Sequence, residues 1–167
     1  SAGTEQGGDI FIVDNSAENW KVGNYLREWA SISTQFDIAT GYFEIGALLA
    51  LDGEWQKLEK LRILMGDEVS RRTKKAFEEG LQGIRKKLDR SIEEAKEEND
   101  FLEGVPAIVQ AIRSGQIETR VYHKKKFHAK AYITHTKFKV MGSTALVGSS
   151  NFTYPGLHQN VELNIQI

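Results

Sequence analysis

In the stretch FHAKAYIT, His128 and Lys130 stand two residues apart. On an extended strand that spacing sends both side chains to one face, while Phe127, Ala129 and Ala131 point the other way. An imidazole that can exchange a proton near neutral pH is thus set beside an ammonium that can hold a negative charge. About twenty residues further on, ALVGSSNFT reads as an apolar strand that runs into Gly148, Ser149 and Ser150. Residues this small let backbone N–H groups approach a phosphate, and Asn151 adds an amide donor.

These groups lie in the most positive part of the chain. The formal net charge of −1 conceals seven Lys and Arg against one acid in residues 120–167, leaving about +6 there and about −7 before it. Such a segment is built to meet an anion. All four histidines, His123, His128, His135 and His158, fall in it, and Glu162 is its sole carboxylate. His123 and His135 lie an odd number of positions from His128, so on a regular strand they face away and read as exposed or supporting residues. The residues alone assign nothing to His158. Lys124, Lys125 and Lys126 read either as a solvated turn or, beside His128, as a rail for a phosphate backbone. Tyr42, at a strand end, reads as core or as a ring on which a base could stack.

The elements that must position these residues alternate between strand and helix. FIVD (10–13) is a short strand, and Asn15 and Ser16 are good caps for a helix carrying Trp20, Tyr25, Leu26 and Trp29. FDIATGYF (36–43) alternates like a strand, 45–57 is helix-like, and LRILMG (61–66) is a compact buried strand. Phe77, Leu81, Ile84, Leu88, Ile92 and Ala95 step by three or four, the mark of one long amphipathic helix over 70–99 that lies on the sheet or packs on a partner. A helix at 101–114 follows, then strands in IETRVYH, FHAKAYIT, FKVMGS, ALVGSS and NVELNIQI. Trp20, Trp29 and Trp55 read as packing. Strands interleaved with helices predict an α/β layered fold with a mixed sheet flanked by helices.

With 167 residues, 40% of them hydrophobic and 27% charged, the chain has the size and composition of one globular domain. It has no cysteine, so disulfides and thiolate zinc sites are excluded, and a reducing, cytoplasmic setting is expected. No run approaches the roughly 20 apolar residues that a membrane helix needs. Residues 1–9 read as a disordered or appended tail, and 10–167 as a single domain. The chain stops inside its last predicted strand, which suggests a fragment of a longer polypeptide.

His128-Ala129-Lys130, then Gly148-Ser149-Ser150-Asn151, then the N-x-E of NVELN resemble, in order, the H-x-K-x4-D, G-[SG]-x-N and N-x-E pieces of the phospholipase D superfamily. ATGYF and LRILMGD further resemble the phospholipase D-like nuclease domains found at the N-terminus of SNF or DEAD-type helicases. The position of the motif aspartate, five after Lys130, is occupied by His135. The resemblance implies a phospholipase D-like α/β sandwich that hydrolyses phosphodiesters of nucleic acid, with DNA preferred, and needs neither metal nor cofactor. His128 is then the nucleophile, Lys130 and Asn151 stabilise charge, and Glu162 holds the His128 ring. Ser149, Ser150, Lys124, Lys125, Lys126 and Tyr42 would contact substrate. One motif per chain implies a homodimer, and the resemblance further implies fusion to a helicase module in the full-length chain and no membrane partner. The rival expectation is a non-catalytic module that binds nucleic acid or dimerises a helicase or restriction complex.

Overall fold

A computed structural model describes residues 12–66, 104–140 and 142–167. The strands are β1 (Ile12–Val13), β2 (Ser33–Thr40), β3 (Lys60–Gly66), β4 (Ile117–Tyr122), β5 (Lys130–Thr136), β6 (Ser143–Gly148) and β7 (Asn164–Gln166). They form one sheet in the order β1-β7-β6-β5-β2-β3-β4. The pairs β2/β3 and β3/β4 are parallel and the others antiparallel. The sheet is therefore mixed, as the alternation of elements predicts. The described helices are α1 (Val22–Ser31), α2 (Ile45–Leu49), α3 (Val105–Ser114) and α4 (Tyr154–His158). None is long and apolar enough to cross a membrane.

One face of the sheet makes the core. Phe36, Ile38, Leu61, Ile63, Met65, Tyr132 and Leu146 alternate onto it, and the registers Ile38↔Ile63, Ile38↔Tyr132 and Tyr132↔Leu146 put them side by side. Val22, Leu26, Trp29 and Ala30 of α1, Ile45, Ala47 and Leu48 of α2, and Ile108, Val109 and Ile112 of α3 bury into the same cluster. Trp29 and Trp55 are core residues, as their positions predict, and Trp20 is half-buried. On the other face, Asp37, Ala39, Arg62, Leu64, Ala131 and Ile133 line a groove of about 460 Å³.

Several local expectations are corrected. Asn15 does serve the first helix, but at a distance: a 3-10 turn, Glu18–Trp20, intervenes, and the Asn15 Oδ1 accepts the Val22 N–H at 2.9 Å. The stretch 45–57 divides into α2 and a 3-10 turn, Trp55–Lys57, across a turn at Asp52 and Gly53. FKVMGS is not a strand through its first residues: Phe138 and Val140 are exposed in the link between β5 and β6, whose pairing begins at His135↔Ser143. A connection between two paired strands has no neighbour to pair with. The long helix expected over 70–99, the tail 1–9 and residues 101–103 lie outside the described residues.

Candidate active site

The C-terminal end of β2 is the point at which the motif residues gather. Thr40 is in register with Lys130, the first residue of β5. Gly41 donates its N–H to the Ala129 carbonyl at 2.7 Å. A Cβ at Gly41 would come within 2.9 Å of the Phe127 carbonyl oxygen, 3.2 Å of the His128 Cα and 3.6 Å of its Nδ1. Only glycine lets residues 127–129 lie this close. Tyr42 donates its N–H to the Asn151 Oδ1 at 3.2 Å. Three consecutive residues thus touch Lys130, His128 and Asn151, which the sequence separates from them by some 90 to 110 positions.

The three groups differ in environment. His128 is exposed and lies just before β5 rather than in it, so strict strand alternation does not govern its direction. Lys130 is 7% exposed. Burial pushes its ammonium below the ordinary lysine value, Glu162 opposes that shift, and Lys126 adds to it. Asn151 is half-buried, and its Oδ1 is held by Tyr42, which leaves the amide N–H groups as its donors.

Glu162 accepts a hydrogen bond from the Ser149 hydroxyl at 2.5 Å and one from the Asn160 amide at 3.4 Å. Among the described residues no hydrogen bond joins it to His128. Ser149 is exposed, while Ser150 is fully buried: its Oγ accepts from the Asn164 Nδ2 at 2.9 Å, and its N–H donates to the Asn164 Oδ1 at 3.3 Å. Ser150 therefore shapes the turn and offers no hydroxyl to a substrate. The Ser149 N–H is likewise spent, on the Leu163 carbonyl at 2.9 Å. Gly148 is small for a related reason. A Cβ there would fall on the Leu163 carbonyl oxygen, 2.5 Å from the Asn164 Cα and 2.6 Å from its Oδ1. The glycine and serines of this turn admit β7, where the sequence suggests a phosphate cradle.

Lys124, Lys125, Lys126 and His123 are exposed on the link between β4 and β5, and Tyr42 is half-buried. His135 is a supporting residue: its Nε2 lies 2.8 Å from the Asp37 Oδ2 and its Nδ1 3.1 Å from the Ser143 Oγ. Arg62 grips the same carboxylate with two hydrogen bonds of 2.7 and 2.6 Å. Burial raises the Asp37 pKa, but hydrogen bonds from Arg62, His135 and Gln35 outweigh it and bring the group to about 2. The carboxylate facing His135 thus comes from β2. Sequence reasoning missed Asp37, Tyr132 and Asn164, and read Asn15 only as a helix cap. Tyr132 is fully buried and donates its hydroxyl proton to the Ser150 carbonyl at 2.5 Å. No local signal marked Asp37 or Asn164: Asp37 lies with Gln35 and Ala39 on the phase opposite Phe36 and Ile38, and Asn164 lies on the polar phase of NVELNIQI with Glu162 and Gln166.

The family described as cardiolipin synthase, PLD-like domain, matches residues 26–167. The chain belongs to this phospholipase D-like family. No curated protein matches it. Among solved structures, yeast tyrosyl-DNA phosphodiesterase is similar at a TM-score of 0.51 and 12% identity, over 84% of this chain and 27% of that one. Phosphatidylserine synthase of Haemophilus influenzae is similar at 0.51 and 13%, over 93% of this chain and 33% of that one. NucT from Helicobacter pylori is similar at 0.47 and 14%, over 86% and 74%. At such identities the likeness is one of fold, and this chain spans about a third or less of the first two proteins. The phospholipase D-like fold accounts for the mixed sheet and for the gathering of the motif residues at one end of its strands.

Proposed function

We propose that this chain is a metal-independent phosphodiesterase acting on nucleic acid, with His128 as nucleophile at a site completed by a second copy. The observation that carries the reading is the contact of Thr40, Gly41 and Tyr42 with Lys130, His128 and Asn151, which collects an imidazole, an ammonium and an amide at one strand end. A ring nitrogen of His128 attacks phosphorus, forming the P–N bond as the P–O bond to the leaving oxygen breaks. His128 of the second copy gives that oxygen its proton. Water then attacks the phosphohistidine, surrenders a proton to the same second imidazole and releases the free His128. Lys130 and Asn151 from both copies hold the charge on the non-bridging oxygens.

Glu162 acts on this site through its field at Lys130 and through Ser149. In the bound state it is the group available to accept the second ring N–H of His128. Ser149 and Lys124, Lys125 and Lys126 would follow the phosphate backbone, and Tyr42 would lie against a base. The positive balance of residues 120–167 favours a polyanion such as DNA over a lipid headgroup. The helicase-like resemblance favours a fused motor as the partner that delivers it.

A second reading, a binding or dimerisation module without turnover, is favoured by the engagement of Glu162 with Ser149 in place of His128. The test is incubation of the protein with plasmid, single-stranded DNA and bis(4-nitrophenyl) phosphate in EDTA, beside His128→Ala, with light scattering for mass. Cleavage that persists in EDTA and vanishes in the variant is expected. Equal DNA binding by both proteins without cleavage of any substrate supports the module, and a monomer at assay concentration removes the shared site.

A further inference from the structure

Residues 13–15 precede the segment that matches the family, yet each of them holds a different point of the chain that follows the motif turn. The Val13 carbonyl accepts from the Asn164 Nδ2 at 2.9 Å. The Asp14 carbonyl accepts from the Glu162 N–H at 3.0 Å. The Asn15 Nδ2 donates to the Gly156 carbonyl at 2.9 Å and to the Asn160 carbonyl at 2.8 Å, while its Oδ1 accepts from Val22. Asn15 is 7% exposed and has a φ of 63°, in the left-handed region. A non-glycine residue persists there only when its surroundings over-determine it, and asparagine is among the few side chains that tolerate it. Three side-chain hydrogen bonds and the Asn15 N–H bond to the Trp20 carbonyl at 3.0 Å meet that condition.

We infer that Asn15 is a positioning residue for the phosphodiester site: it clamps residues 156–160 and so fixes where Glu162 and the turn carrying Asn151 stand relative to His128. Its contacts explain why. Between Asn151 and Asn164 the chain holds the isolated bridge of Phe152 to Phe43 and the short α4, and it returns to the sheet through β7, three residues long. So short a pairing leaves residues 156–162 little register of their own, and the clamp supplies it from Asn15, just past β1 and 141 positions from Gly156. The inference rests on the phosphodiesterase reading for its catalytic consequence and on geometry alone for the clamp.

Two variants of the full chain test it. Asn15→Gly keeps the left-handed backbone and removes all three side-chain bonds. Asn15→Asp keeps the acceptor for Val22 and turns an oxygen toward the Gly156 and Asn160 carbonyls. Hydrolysis of bis(4-nitrophenyl) phosphate in EDTA gives kcat and KM, and hydrogen exchange gives the protection of the Glu162 amide. With both variants folded by circular dichroism, a fall in kcat of about tenfold with KM within about twofold is expected, and Glu162 exchange about tenfold faster. Unchanged exchange with kcat within twofold of the parent overturns the inference, as does a loss of activity that only follows the folded fraction. If the parent protein itself hydrolyses nothing, the phosphodiesterase reading fails, and the clamp stands or falls on the exchange of Glu162.

Discussion

Replacing Gly148 with alanine separates two accounts of the motif turn. The added Cβ would fall on the Leu163 carbonyl oxygen and 2.5 Å from the Asn164 Cα. Both are backbone atoms of β7, so no side-chain rotation relieves the clash, and β7 must retreat from β6. Four hydrogen bonds then lengthen: Ser149 N–H to the Leu163 carbonyl at 2.9 Å, Leu163 N–H to the Ser149 Oγ at 2.9 Å, and the two between Ser150 and Asn164 at 2.9 and 3.3 Å. At about 1 kcal/mol each, partly retained after the shift, and with overpacking itself costing about 1–3 kcal/mol, a loss of about 3 kcal/mol is expected. For a domain of this size that corresponds to a Tm lower by about 6–12 °C. Calorimetry and urea unfolding at pH 7 measure it, beside hydrolysis of a phosphodiester. A Tm within about 1 °C of the parent refutes the packing account. If that unchanged stability came with lost hydrolysis, the glycine would serve approach of a phosphate, as the sequence suggests.

Three further outcomes are expected. Asp37 titrates in the folded protein at about 2, below its ordinary 3.8, so its contribution to stability is present above pH 4 and is lost as pH falls through that window. Asp37→Asn should therefore lower stability by about 1 kcal/mol at pH 7, screened because the carboxylate is partly exposed, and the gap to the parent should close by pH 2 in urea titrations. A gap independent of pH contradicts this. Tyr132→Phe removes the buried donor to the Ser150 carbonyl and should cost about 1–3 kcal/mol, read from the urea midpoint. A change under about 0.5 kcal/mol would show that the hydroxyl does not carry the turn. Since burial lowers the pKa of Lys130, the alkaline limb of the pH–rate profile should begin below 10.5, and Lys130→Arg, if active, should lack it. An identical limb in that variant excludes Lys130 as its source.

The hydrophobic periods announced β2, β3, β4 and α3 within a few residues, because period two and period 3.6 are local properties of a chain with one buried face. His128-x-Lys130 and Gly148-Ser149-Ser150-Asn151 were legible as a constellation through their spacing and order. The direction of His128 was not, since β5 begins at Lys130 and the histidine precedes it. Nor was the burial of Ser150, whose hydroxyl and N–H both meet Asn164. A serine beside a glycine looks the same on paper whether a phosphate or a neighbouring strand lies against it.

By itself, the sequence determined the alternating α/β elements, the concentration of positive charge and histidine in the last third of the chain, and the motif residues fit for phosphodiester chemistry. Tertiary structure alone decided that Thr40, Gly41 and Tyr42 meet Lys130, His128 and Asn151, that Asp37 supports His135, and that residues 13–15 hold the chain around Glu162. The physical reason is range. Propensity and periodicity act over a few residues, whereas strand order, register and the partners of buried polar groups are set by packing between segments 90 to 150 positions apart.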